Sequence, residues 1–241
     1  MKYYPKIKFR ASLKVDTGNC INFIKQKRSG PRKQFTVWFL PQDLRYILNK
    51  KFSEKQREKI IKAYMRQVFN NKEKRQAIIG GCKKATQDWQ KVAKRYFGLM
   101  DKVFKKHSWP KGNYRGFASI FHMFPRYIEP KIFFFPYVHK LPKFSNRVIS
   151  HEMMHFLFFD YLDKKYGLKQ NSKIVGKSND YIWQVSEVFN NVIESWEPYK
   201  RVFNFGVRPY AGLEKMFVQM KKDWAKKQDI DWLLYRWLKK R

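Results

Sequence analysis

The sequence predicts an α+β fold with a small mixed sheet and a mostly helical C-terminal half. Three patterns carry that expectation. Apolar and polar residues alternate near the start of the chain. Two aromatic runs in the middle are bounded by proline or glycine. Several longer stretches repeat their apolar residues at helical spacing.

Taken in order, Ile7, Phe9, Ala11, Leu13 and Val15 alternate with Lys8, Arg10, Ser12 and Lys14, which predicts a half-buried strand over residues 7–15. A second strand is expected in the run FTVWFL at 35–40, stopped by Pro41. Ser53 then reads as a helix N-cap, with Gln56 completing a capping box and Glu54 in the first turn; Ile60, Ile61, Tyr64 and Val68 follow at helical spacing. Asn70-Asn71 and Gly80-Gly81 read as breaks. A long helix is expected over 86–105, its apolar stripe formed by Trp89, Val92, Tyr96, Phe97, Met100 and Phe104. Residues 117–123 and 132–138 read as two short strands. Helices are expected over 145–164 and 180–196, the second capped by Ser178 or Asn179 and ended before Pro198. One or two more are expected within 212–240, with Phe217, Trp224, Trp232, Leu233 and Trp237 inward.

Composition bounds the function. Hydrophobic residues at 44% and aromatic residues at 18% describe a chain that folds despite its charge. No stretch approaches the roughly 18 uninterrupted apolar residues of a membrane span. The start has lysines but no apolar run behind them, so no secretory signal is expected. Cys20 and Cys82 lie far apart and read as reduced thiols of a cytoplasmic protein. The net charge of +34 would attract nucleic acid or another polyanion. The basic residues are dispersed, however, and no zinc-finger, RRM or KH signature accompanies them. A lysine-rich surface is therefore favoured over a dedicated nucleic-acid site, and nucleic acid remains a non-specific partner.

The charge map has two gaps. Lys and Arg account for 53 of the 241 residues, yet none falls between Val148 and Asp163 or between Ser178 and Tyr199. Such windows are expected to be buried or to face a cation. The first contains His151-Glu152-Met153-Met154-His155. Two histidines four apart share a helix face one turn apart, where both imidazoles can bind one Zn²⁺ at about 2.0–2.1 Å. Glu152 would then lie beside the metal, placed to take a proton from its water. Coincidence is the competing explanation, but an apolar helix would bury two histidines and a glutamate at a cost without a metal.

With its apolar flanks, this motif helix resembles those of zinc peptidases. Phe158 and Tyr161 stand where a metzincin has its glycine and third histidine, so the resemblance is to the gluzincin branch. It covers about residues 85–199 and implies a zincin-like fold: a small sheet, a backing helix, the motif helix and a helix supplying a glutamate ligand. On the second window Glu187 is the leading third ligand, Glu194 the runner-up two turns along the same face, and an upstream histidine or no third protein ligand the remaining choice. Many gluzincins carry an aspartate four residues after the ligand glutamate to orient the first histidine; here Asn191 occupies that position. No histidine follows His155, so Tyr199, Arg208 or Tyr210 is expected to donate to the transition state. The two ends match no recognised pattern, and the expected organisation is a β-rich extension over 1–50 and a zincin-like domain over 51–241, or one continuous domain.

The leading expectation is a zinc-dependent metallopeptidase acting on a peptide or protein, the substrate lying extended along an edge strand at 116–122. Two alternatives stand beside it. One is a non-catalytic, basic, nucleic-acid-associated protein with a structural zinc. The other is a zinc hydrolase of non-peptide substrates.

Overall fold

The computed structural model describes residues 2–25, 39–138 and 144–238. It is an α+β structure with one small mixed sheet and a majority of helix. Among the described residues no helix is long and apolar enough to cross a membrane. The chain divides into two compact units: Met1–Pro5, Gln90–Gly112 and Ser150–Arg241 form one, Lys6–Trp89 and Asn113–Ile149 the other.

The second of these units holds the sheet. Strand β1 (Ile7–Arg10) is half as long as its alternation suggests, because Ser12 starts a helix. The Ser12 hydroxyl accepts from the Val15 N–H and its carbonyl from the Asp16 N–H, so α1 (Leu13–Lys25) takes over where alternation still reads as strand. A 3₁₀ segment follows at Gln42–Leu48, so the described residues up to 50 hold more helix than strand. The expected strand at 35–40 lies outside the described residues up to 38, and Phe39 and Leu40 belong to no strand.

Helix α2 (Glu54–Asn70) begins on the expected capping box: Gln56 N–H donates to the Ser53 hydroxyl and the Gln56 side chain accepts from the Ser53 N–H. It packs with α1 around Cys20, Phe23, Leu44, Ile61 and Met65. The next helix, α3 (Lys72–Val103), runs unbroken through Gly80-Gly81, contrary to the expected break. Gly81 is there for clearance. A Cβ at 81 would stand 2.6 Å from the Tyr137 carbonyl oxygen, whereas nothing lies within 4 Å of one at Gly80. Gly81→Ala should therefore cost about 1–3 kcal/mol, and Gly80→Ala should add about 0.5–1 kcal/mol by removing backbone freedom. Urea unfolding of the two variants tests this; equal shifts would argue against the close approach.

Strands β2 (Tyr114–Ser119), β3 (Arg126–Tyr127) and β4 (Ile132–Pro136) complete the sheet in the order β1-β2-β4-β3. β1, β2 and β4 are parallel and β3 is antiparallel to β4. The expected edge strand at 116–122 is thus corrected: β2 is an inner strand, paired with β1 over Tyr114–Phe117 and with β4 over Arg115–Ser119. Gly116 sits where a Cβ would come within 2.9 Å of both Phe9 and Phe133, so the aromatic rings of neighbouring strands close over it.

The other unit is helical. It contains the later parts of α3 and of α4 (Phe144–Tyr166), then α5 (Tyr181–Ser195), α6 (Glu197–Phe203), α7 (Glu214–Lys226) and α8 (Ile230–Leu238). Helix α5 begins after Asp180 without a side-chain cap, not on Ser178 or Asn179. Of the expected inward residues at the C-terminal side, Trp224 and Leu233 are buried while Phe217, Trp232 and Trp237 are half-buried. Asp223, buried on α7, accepts from Arg236 Nε at 3.1 Å and Trp237 Nε1 at 3.2 Å, which ties α8 down.

Candidate metal centre

The two windows without lysine or arginine become the most buried helices of the molecule's helical unit. On α4, Met153, Met154, His155, Phe156, Leu157, Phe158 and Phe159 are all buried. On α5 burial runs all round the helix, from Ile182 to Glu194 with Gln184 half-buried. No glycine or proline interrupts α4, so His151 and His155 keep their one-turn separation. Phe158 on α4 packs against Phe189 on α5 at a ring distance of 5.0 Å. The Asn190 amide donates to the His151 carbonyl at 3.0 Å. These contacts set the two helices face to face.

Three side chains converge between them. His151 Nε2 lies 3.1 Å from His155 Nε2 and 3.2 Å from Glu187 Oε2, and His155 Nε2 lies 3.5 Å from Glu187 Oε1. Donors about 2.0–2.1 Å from a tetrahedral ion stand roughly 3.3–3.4 Å from one another. The 3.1 Å between the two imidazole nitrogens is close to that spacing, and the Glu187 carboxylate presents one oxygen to each of them, at 3.2 and 3.5 Å. His151, His155 and Glu187 therefore form a group able to hold a metal ion.

Exposure is uneven. The His155 and Glu187 side chains are 0% and 1% exposed, that of His151 17%. The group therefore meets solvent on the His151 side. Glu152, the next residue, is 6% exposed. Phe159 covers the His155 ring in a stacked arrangement at 6.0 Å.

The charges favour a cation. Burial lowers the His151 pKa, but the Glu194 charge, the hydrogen bonds the ring donates to Glu187 and Glu194, and the Glu152 charge outweigh it and lift the ring to about 10. A raised pKa means that this stabilisation is fully present below the ordinary value of 6.5 and is lost as pH rises through about 10. A metal ion entering the group would displace that proton and take over the role of balancing the carboxylates.

The other expected residues are distributed differently. Asn191 is not the partner of a histidine ring: its amide donates to the Glu187 carbonyl of its own helix at 2.7 Å. In its place Glu194 Oε1 meets His151 Nδ1 at 2.6 Å, so the runner-up ligand faces the opposite nitrogen. Tyr199 is buried, its hydroxyl 2.5 Å from that of Ser150, and it packs the helix just ahead of His151. Arg208 is exposed. The ring of Tyr210 lies 5.6 Å from that of Trp183, one turn before Glu187 on α5. Asn190 and Ser150 were not singled out by sequence reasoning; they act on backbone or on a hydroxyl, and no spacing rule marks such contacts.

Compared with protein-family models, with curated proteins and with solved structures, the chain matches none.

Proposed function

We propose that this protein is a zinc-dependent metallopeptidase of gluzincin type, with His151, His155 and Glu187 as metal ligands and Glu152 as the general base. The observation that carries the reading is the convergence of these three side chains, whose facing nitrogen and oxygen atoms lie 3.1 to 3.5 Å apart. Two imidazoles and one carboxylate form a donor set that zinc accepts while keeping an open position. Bound there, zinc supplies Lewis-acid activation of water and of a substrate carbonyl.

The chain's own residues supply the rest. His155 and Glu187 anchor the group from within the core, and the partly exposed His151 marks the side from which water and a peptide reach it. Glu152 follows His151 on the same helix and accepts the proton of the attacking water through its carboxylate. It then returns that proton to the leaving amine. The apolar packing around the motif helix keeps bulk water from the carboxylates and strengthens their pull on charge.

Digestion of casein and of a mixed peptide library, with and without a chelator, tests the reading. The wild-type protein should bind about one zinc per chain and cleave only in the metal-loaded form. Glu152→Gln should retain zinc while cleavage falls by roughly 10²–10⁴-fold. Undiminished cleavage by Glu152→Gln would refute its role as base. Zinc without hydrolysis of peptides would favour a structural metal or a different hydrolysable substrate.

A further inference from the structure

We infer that Glu194 is the positioning residue of this centre: its carboxylate holds the Nδ1 edge of His151 so that Nε2 alone faces the cation. The inference rests on the metal-site reading above and assigns to Glu194 the place that sequence reasoning gave to Asn191. The two nitrogens of an imidazole are not equivalent, and the hydrogen bond made by one decides which is offered to a metal.

His151 is held on both edges. Nδ1 is 2.6 Å from Glu194 Oε1, and Nε2 is 3.2 Å from Glu187 Oε2 and 3.1 Å from His155 Nε2. Both carboxylates belong to α5, seven residues apart, which is about 10.5 Å of helix rise. Two side chains from nearly the same face thus close on one ring from its two ends. The Asn190 amide holds the His151 carbonyl at 3.0 Å, so backbone and ring are fixed by the same helix. Asn191 instead turns its amide N–H to the Glu187 carbonyl, and it is Glu194 that meets Nδ1.

Glu194 is not a further ligand, because it addresses the nitrogen opposite the one shared with His155 and Glu187. Its side chain is 2% exposed, and a carboxylate so buried is costly to keep unless it accepts a strong hydrogen bond. A carboxylate in this position also makes the ring a better donor than a neutral amide would. Here it comes from seven residues beyond the ligand glutamate instead of four.

The test is zinc affinity, measured by competition with a chromogenic chelator at one fixed pH. Glu194→Ala should bind zinc roughly 10–100-fold more weakly than wild type. Glu194→Gln, which keeps an acceptor oxygen, should recover part of that loss. In the Co²⁺-loaded proteins, Glu194→Gln should shift the visible bands while keeping the intensity of a four-coordinate ion. A purely structural role for Glu194 would leave those bands in place. Circular dichroism of the metal-free variants separates loss of fold from loss of affinity, and the Gln variant decides the matter if the Ala variant does not fold. Wild-type affinity and unshifted bands in the Gln variant would overturn the role of Glu194 while leaving the metal site intact. Loss of zinc as complete as that caused by removing Glu187 would make Glu194 a ligand instead. A wild-type protein that binds no zinc would overturn both readings together.

Discussion

Replacing Glu187 with alanine is expected to weaken zinc binding by roughly 10²–10⁴-fold. Structural zinc sites bind with about 10–16 kcal/mol, and removing one of three protein ligands should cost about 3–5 kcal/mol, with each 1.4 kcal/mol worth a factor of ten. The site offers little compensation. Glu187 is 1% exposed, and the neighbouring Glu194 is engaged on the far nitrogen of His151. Alanine would also leave two imidazoles 3.1 Å apart without the carboxylate that now lies within 3.5 Å of both. Isothermal titration with zinc, beside a Glu187→Gln variant of similar volume, measures the loss. Binding within tenfold of wild type in both variants would remove Glu187 from the ligand set, and the proposed chemistry with it.

The second large effect is expected in the sheet-bearing unit and concerns pH. Asp16, on the first turn of α1, is 1% exposed. It accepts from the Ser119 hydroxyl at 2.7 Å and the Ile120 N–H at 3.0 Å, which fastens α1 to the end of β2. Burial raises its pKa from 3.8 to about 7, against the lowering effect of those two hydrogen bonds. The Cys20 thiol and the Tyr137 phenol are also pushed up, first by burial and then by the Asp16 charge, so both stay neutral beside it. A carboxylate whose pKa is raised on folding binds its proton more tightly in the folded state. Its contribution to stability is present below about pH 4 and is lost as pH rises through about 7. The rise corresponds to about 4 kcal/mol.

Asp16→Asn removes the titration while keeping an oxygen for one of the two donors. Between pH 4 and pH 9 the wild-type protein should therefore lose about 4 kcal/mol relative to the Asn variant. Charge-assisted hydrogen bonds contribute about 1.5–3 kcal/mol each, so the variant need not be the more stable protein at every pH. What matters is the change in the gap. Urea unfolding of both proteins across that range measures it, and a gap independent of pH would show that Asp16 ionises without penalty.

Sequence and structure agree most closely where a pattern belongs to one element. The Ser53–Gln56 capping box spans only four residues, and it forms as expected. The four-residue spacing of His151 and His155 places both on one face of α4 in any helix. Windows without lysine or arginine became buried helices because such side chains are rarely enclosed without a partner. Ambiguity began where two local readings compete. Leu13 and Val15 continue an alternation but also suit the first turn of a helix, and Ser12 as cap decided for the helix. A glycine pair mid-helix reads as a break, yet Gly81 marks a neighbour's approach that lies more than fifty positions away in sequence.

From the sequence alone came the motif helix, its two histidines, a carboxylate-bearing partner helix and the burial of both. Periodicity and composition suffice for these, since each follows from the geometry of a single helix and the cost of enclosing charge. Only the tertiary structure decided that β2 is central in its sheet, and that Glu194 instead of Asn191 meets His151. Strand order and ring orientation depend on how elements remote in sequence pack, and the direction in which a side chain reaches across an interface is set by that packing.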